Sequence, residues 1–474
     1  MGLKVWLLCH FIVILYSKKS KTNMKQAFVI YLSLASLQCL AQGGFTVQQC
    51  MQYAVEHNHE VRQAELELDI YKAQKTAAIG RFLPAVEGSV GAQYNFGRAI
   101  DPETNGYTDV STFYNGYSLS ASLPLFDGLS RIHALRAAKA GELMGRSALR
   151  QQQDQTALAV MQAFANVVYY QGMVSMANEK VQETELLLRQ TRLMEDVGRK
   201  SAADVAQVES QKAEADYELT RQQGLYQSAL LELKKEMAWP INEELRMKNL
   251  LNEELRIKNE EFPTGQLFVS TRTAAADSSF SILHSSLETL RLQAETARHE
   301  WRQARSALYP SLSLGAGLNT TYFHTLHSAA GQSFSHQFKN NMGEYVGVTL
   351  SIPLFNRLQT VTAIRRAKNN YLIAQEAYKQ KRLELEKLSH EAWLDWQTYQ
   401  KQTIQMKHKV TADSIAYQLT KRQFEEGLST AIDLRNTSAQ LLQSKAMLLQ
   451  CQLMTMVKEQ LLRYYRGECL WEQE

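Results

Sequence analysis

The sequence predicts an α+β membrane protein: a long α-helical coiled-coil wall joined to strands of a transmembrane β-barrel, four strands per chain, as an internal two-fold repeat. A twice-written junction, four alternating strands and two very long helical stretches predict it. The junction reads "SASLPLFDGL" at 120–129 and "TLSIPLFNRL" at 349–358. With Pro124 on Pro353, Leu129, Ala134, Arg136, Ala138 and Lys139 fall on Leu358, Ala363, Arg365, Ala367 and Lys368. At the same offset "VGRKSAADV" (197–205) meets "EGLSTAIDL" (426–434), and "RFLPAVEGSVGAQYNF" (81–96) meets "ALYPSLSLGAGLNTTY" (307–322) three residues out of step. Internal repeats are sought first because missing one misreads the fold.

Residues 1–41 hold five lysines and no acid, which more than accounts for the formal net charge of +4. The charge balance therefore gives no reason to expect nucleic acid as a partner. "MKQAFVIYLSLASLQCLAQ", from Met24, has the basic start, short apolar run and small-residue end of an export signal. We expect a signal peptide over 1–41, a true start at Met24 and cleavage after Ala41. The run Val5–Leu15 is too short to span a bilayer. Gln38 stands where lipid attachment at Cys39 needs a small residue. Beyond the leader only Cys50, Cys451 and Cys469 remain, and their spacing fits no metal site. A Cys50–Cys469 bridge is open, free thiols being the simpler expectation. No cofactor is expected.

The first repeat is placed at 42–240, a linker at 241–278 and the second repeat at 279–474. Each repeat reads helix, strand, loop, strand, very long helix, glycine turn, helix. Val86, Val90, Ala92 and Tyr94 alternate with Glu87, Ser89, Gly91 and Gln93, and Leu119, Ala121 and Leu123 alternate with serines. In the second half Leu312, Leu314, Ala316 and Leu318, then Val346, Val348, Leu350 and Ile352, repeat the pattern. Period two gives each strand one apolar and one polar face. An ordinary half-buried sheet would read the same way. The small, almost uncharged polar face and the ten-residue length suit a membrane strand around a wet lumen instead. Aromatics gather at the strand ends: Tyr94, Phe96, Tyr114, Tyr117, Tyr322, Phe323 and Tyr345 at one, Phe82, Phe126, Tyr309 and Phe355 at the other. This predicts two interfacial girdles. Pro84, Pro124, Pro310 and Pro353, with Phe126 and Phe355, are placed at the strand feet, where a missing N–H does no harm.

From Gly128 to Val197 a single helix would run about 105 Å. Helices over Thr46–Arg81 and Ser201–Ala238 would cover about 54 and about 57 Å, so that stacked end to end they match it. Apolar positions such as Leu158, Met161, Ala165 and Val168, at steps of three and four, are packing positions. The near-tandem "NEELRMKN" and "NEELRIKN" (242–249, 252–259) is read as connection only. Four membrane strands cannot close a barrel, and lipid does not tolerate open edges. Association of copies is therefore expected: eight strands would be filled by side chains, and twelve would leave a lumen.

On the junction and on the doubled turn Gly-x-x-(Ser/Thr)-x-x-Asp-(Val/Leu), the chain resembles the TolC family of outer-membrane efflux proteins over about 45–467. The turn is Gly198–Val205, with Ser201 and Asp204, and Gly427–Leu434, with Thr430 and Asp433. The resemblance implies a homotrimer in outer membrane lipid, with a twelve-stranded barrel above a periplasmic tunnel. It implies passive export of drugs, small molecules or proteins, driven by an inner-membrane pump through a periplasmic adaptor. The adaptor would dock at the tips: Gly198, Arg199, Lys200, Ser201 and Asp204 in one half, Gly427, Leu428, Ser429 and Thr430 in the other. Each tip is also simply a helical turn. The constriction would be at Asp433, with Phe424 and Asn436 where family members carry a tyrosine and a second aspartate, and Ser429 where they carry an arginine. Asp433 is equally well placed to cap the returning helix.

Catalysis is not expected. His299-Glu300 and His390-Glu391 lack a zinc helix's second histidine, His57 and His59 point to different faces, and no phosphate loop or serine elbow occurs. The alternative to a duct is a periplasmic coiled-coil scaffold or surface adhesin, which would need no lipid-facing hairpins.

Overall fold

The computed structural model describes residues 45–100, 106–108, 111–245, 284–325 and 332–471. The expected signal peptide, Cys39 and nearly all of the expected linker lie outside the described residues. In chain order the elements are α1 (Val47–His57), α2 (His59–Gly80), β1 (Ala85–Asn95), β2 (Ala99–Ile100), β3 (Tyr107–Thr108), β4 (Thr112–Phe126), α3 (Ser130–Asp196) and α4 (Ala202–Glu236). The second half holds α5 (Ser285–Ser306), β5 (Ser311–Thr325), α6 (Phe334–Asn340), β6 (Gly343–Ser351), α7 (Gln359–Glu425) and α8 (Ala431–Tyr465).

The repeat is explicit in the helices. Both long helices, α3 and α7, have 67 residues, both return helices, α4 and α8, have 35, and α2 and α5 each have 22. At 1.5 Å per residue the long pair spans about 100 Å. The short helices stack end to end beside them. Asn58 ahead of α2 donates from Nδ2 to the Glu236 carbonyl at the end of α4, at 2.9 Å. His284, the N-cap of α5, packs on Tyr464 at the end of α8, with ring centroids 4.6 Å apart.

The single first helix expected over Thr46–Arg81 is two helices. Asn58 has ψ 135° and its side chain accepts from the Glu60 N–H, so it ends α1 and caps α2. This break lets one residue serve two helix ends. Cys50, Cys451 and Cys469 are all free, and burial pushes the Cys50 thiol up to about 12.

The sheet order is β1-β4-β5-β6, antiparallel throughout. Below it α2, α3, α5 and α7 pack side by side in the same order, and lower down α4, α3, α8 and α7 do so. At every level the chain is thus a wall four elements wide. One open edge runs through β1, α2 and α4, the other through β6 and α7.

Two apolar clusters hold the wall. The larger, at the waist, joins Cys50, Ala54, Val160, Phe164, Val168, Leu233, Met237, Leu453 and Trp471. The smaller, at the far end, joins Leu187, Leu188, Val208, Phe424, Ala431 and Leu434.

Each long helix leaves its strand through two consecutive left-handed residues: Gly128 and Leu129 (φ 65° and 71°), Arg357 and Leu358 (φ 56° and 63°). A Cβ on Gly128 would stand 2.5 Å from the Ser306 carbonyl oxygen, whereas Arg357 is exposed. Only the first half therefore requires glycine. Gly128→Ala should lower the yield of folded protein, and Arg357→Gly, which relieves a positive φ, should leave yield and thermal stability unchanged or slightly raised.

Candidate functional site

The sheet register sorts the side chains. On one face lie Glu87, Ser89, Gly91 and Gln93, paired across with Ser120, Ser118, Gly116 and Tyr114. The ladder continues that face through Gly317, Asn319 and Thr321 to Gly347, Thr349 and Ser351. Ser89 and Ser118 hydroxyls are 2.7 Å apart on it. The other face carries Val86, Val90, Leu119, Leu314, Leu318, Val346, Val348 and Leu350, and Val90, Val346 and Val348 are 70, 79 and 61% exposed. All four strands thus agree on one polar and one apolar side, with Asn115, Thr320 and Glu344 as polar exceptions on the apolar one.

The register corrects one expected girdle. Tyr94, Phe113, Tyr117 and Tyr322 form a connected aromatic group on the apolar face, joined by Phe334 and Phe338 of α6. Tyr114, Phe323 and Tyr345 lie on the polar face. There Tyr345 lies against Gly317 and Tyr114 against Gly116, so tightly that a Cβ on Gly317 would fall 2.5 Å from the Tyr345 ring. These rings cover glycines rather than reach lipid. The seven-residue α6 between β5 and β6 is not among the expected elements. Gln337 on α6 accepts from the Phe323 N–H and donates to its carbonyl, and Asn341 donates to the Thr321 carbonyl. Together they satisfy the upper edge of β5, beyond the point where β6 begins.

Of the strand feet, Pro84 and Pro310 immediately precede β1 and β5, and Pro353 follows β6. Pro124 departs from the expectation, because β4 continues to Phe126 through an irregularity between Pro124 and Phe126. Phe126 and Phe355 are exposed, at 43 and 80%.

At the far end the two turns are built alike. Gly198 and Gly427 have φ 73° and 80°. The N–H groups of Arg199 and Leu428 reach back to the carbonyls of Met194 and Gln423, at 2.8 and 2.7 Å. That bond, with a left-handed glycine before it, is the Schellman closure. Ser201 and Thr430 then cap α4 and α8, and Asp204 and Asp433 complete reciprocal capping boxes. The Asp433 carboxylate accepts from the Thr430 hydroxyl (2.6 Å) and N–H (3.2 Å) and from Ser429 at 3.4 Å. Hydrogen bonds from Thr430 hold its pKa below the ordinary aspartate value, and backbone and side-chain bonds from Ser201 do the same for Asp204. The capping role of both aspartates is therefore present in the single chain, and Asn436 stands exposed on the same helix.

Phe424 is 1% exposed, packed between the two helical hairpins, and the Lys200 ammonium sits 3.9 Å from its ring centre. Lys200 thus reaches from the first tip onto the core of the second, a contact invisible in the sequence because the hairpins are over 200 positions apart. Gln211 donates to the Ala431 carbonyl, Arg435 pairs with Glu214 at 2.9 Å, and Lys180 meets Ser438 and the Tyr417 ring. Arg199 and Leu428 are exposed and make no side-chain bond among the described residues, Leu428 being 76% exposed, while Ser429 is half-buried and bonds back to Asp433.

The model of a family described as outer membrane efflux protein matches residues 50–238 and 282–468, one span in each half. No curated protein is similar enough in sequence to match. Among solved structures, the outer membrane protein VceC of Vibrio cholerae aligns with a TM-score of 0.73 at 15% identity, over 90% of this chain and 96% of that one. The CmeC outer membrane channel of Campylobacter jejuni aligns at 0.72 and 16%, over 89% and 85%. The open state of the MtrE outer membrane channel of Neisseria gonorrhoeae aligns at 0.70 and 16%, over 90% of each. At these identities the structures speak for the fold, while the family match spans most of the chain. The chain therefore belongs to the outer membrane efflux protein family and lies in the outer membrane, its long helices extending into the periplasm.

Proposed function

We propose that three copies of this chain form a passive exit duct, the outer-membrane component of a tripartite efflux or secretion system. The observation that carries this reading is the wall of four elements with open edges at every level. Bare strand edges are costly in lipid, and the two edges of one copy can pair with those of the next. Three copies give twelve strands over twelve helices, with the polar sheet face inward around a lumen. A scaffold or adhesin would have no use for strands whose outer face is so exposed and apolar. On this reading the drive comes from an inner-membrane pump through a periplasmic adaptor. That adaptor meets the exposed tip residues Arg199 and Leu428, with the half-buried Ser429 beside them.

Reconstitution in planar bilayers tests the duct. Val346→Arg or Val348→Arg, on the lipid side in the middle of β6, should cost roughly 2–4 kcal/mol per chain near the midplane and abolish insertion. Ser351→Arg, on the polar side, should insert normally and shift ion selectivity toward anions. Equal behaviour of the two kinds of variant would overturn the assignment of faces.

At the tips, the Asp433 carboxylates of three copies would converge and attract cations. Asp433→Asn keeps acceptor and donor atoms for the cap but deletes the charge. It should weaken cation selectivity and trivalent-cation block without loosening α8 in hydrogen exchange, while Asp204→Asn changes neither property. If conductance is indifferent to Asp433→Asn, Asp433 is a cap alone. Phe424→Ala, which empties the joint between hairpins, should cost about 3–5 kcal/mol and raise resting conductance.

The folded-state pKa of both capping aspartates is depressed, so their contribution is complete above the ordinary value of about 3.9 and fades as pH falls through the lower folded values. Amide exchange at residues 201–205 and 430–434 should therefore be flat from pH 5 to 8, after correction for intrinsic rates, and rise only under stronger acid.

A further inference from the structure

The duplicated basic pair just below the strands has no use in the wall itself. Arg136 and Lys139 on α3 recur as Arg365 and Lys368 on α7, at the same offset as the junction. All four are exposed, and none forms an ion pair among the described residues. Farther down the same helices basic side chains do pair: Lys180 with Glu183, Arg189 with Glu185, Lys379 with Glu376, Arg382 with Glu386, Lys387 with Glu391. The charge is therefore segregated toward the strand end. On α7 no acid occurs before Glu376. Near α3 the acids are already engaged, Asp127 by Arg131 and Glu142 by Lys75 and Arg146. Arg298 and Arg302 add two more cations on α5 between them, with Glu295 turned to His299.

Orientation follows from the concave groove of about 840 Å³ that touches all four upper helices. It is lined by Ala134, Ala137, Ala138 and Gly141 of α3, by Glu300 of α5, and by Asn370, Ile373, Ala374 and Ala377 of α7. At about 100° per residue the basic pairs lie on the far side of α3 and α7 from that groove. A groove that touches all four helices of the wall belongs on its concave, lumenal side in the proposed duct, so the pairs face outward. Arg136 and Arg365 sit about 9 Å below the start of their helices, and Lys139 and Lys368 about 14 Å below. Side chains on a helix lean toward its N-terminus, here the end nearest the strands. Just above them the outer rim is apolar, with Leu354 92% and Phe355 80% exposed.

We propose that these pairs form a collar that binds the anionic phospholipid headgroups of the periplasmic leaflet, fixing the depth of the barrel. The apolar rim marks the hydrocarbon boundary, and long basic side chains below it snorkel upward to phosphate. The inference rests on the membrane placement of the strands proposed above. It commits to lipid, with a soluble anion or an acidic face of a partner protein as the competing occupants.

The test uses the delipidated full-length oligomer in detergent, offered equal amounts of phosphatidylglycerol and phosphatidylethanolamine with the same acyl chains, and read by native mass spectrometry. Wild type should retain phosphatidylglycerol on the order of fivefold better, with the preference falling as salt rises. The variant R136Q/K139Q/R365Q/K368Q should retain both lipids equally while still assembling and conducting. An unchanged lipid preference in the variant overturns the collar. Displacement of the lipid by millimolar inorganic phosphate overturns it in favour of a soluble-anion site. A variant with wild-type lipid preference but lost transport in cells overturns it in favour of a protein partner. Failure of wild type to insert into bilayers strikes the duct reading instead, and is seen before any lipid is compared.

Discussion

The hydrogen-bonding groups on the outer edges of β1 and β6 constrain everything else in this molecule. In hydrocarbon each such group left unpaired costs several kcal/mol, so a four-stranded sheet cannot stand in a membrane alone. The chain answers part of the demand internally. Gln337 and Asn341 pair the upper part of β5 where β6 has not begun, using side chains in place of a strand. The two outermost edges have no such device among the described residues. They are continuous with the free flanks of α2 and α4 on one side and α7 on the other, so any closure of the sheet also closes the helical wall.

The repeat makes this closure cheap in information, because one unit supplies two strands, one long helix and two short ones. The copies have diverged where their surroundings differ. Gly128 faces the Ser306 carbonyl and must stay glycine, while Arg357 holds the same left-handed backbone in the open. Ser201 and Thr430 cap their helices identically. Lys200, however, crosses to Phe424, and its counterpart Ser429 stays within its own turn, bonded to Asp433. The asymmetry is therefore concentrated where the two hairpins meet, which is where a joint has to distinguish its two sides.

Much of this was legible in the sequence because it is periodic or local. The alternation Leu312, Leu314, Ala316, Leu318 has one physical solution as a strand with two unlike faces, and Gly198 and Gly427 announce left-handed turns. The helix start at Asn58, an Asn followed by Glu60, is hidden in the sequence because the apolar pattern runs on through it. Long-range contacts were not legible. Neither the Lys200–Phe424 contact nor the burial of Phe424 follows from spacing, since both depend on how two hairpins pack. Tyr114 and Tyr345 were misplaced for a related reason. Aromatic residues near strand ends suggest a girdle, but parity decides the face, and parity puts these two over glycines on the polar side.

The distribution of packing bears on where such a wall can move. Two helices of about 100 Å, each supported along its length, resist bending. The waist is fastened by the larger apolar cluster, which draws on α1, α3, α4, α8 and the C-terminal Trp471. The far end is fastened by only six buried residues and a few polar links, among them Gln211 to Ala431 and Arg435 to Glu214. Local opening follows the weakest set of contacts. The hairpins would therefore part at the tips and pivot about the waist. The aspartate caps do not resist such a movement, because each is closed within its own turn and travels with it. What must be broken is the seat of Phe424 and the Lys200 ammonium above it, a contact between hairpins that a protein grasping the exposed tips could pull apart without unfolding either one.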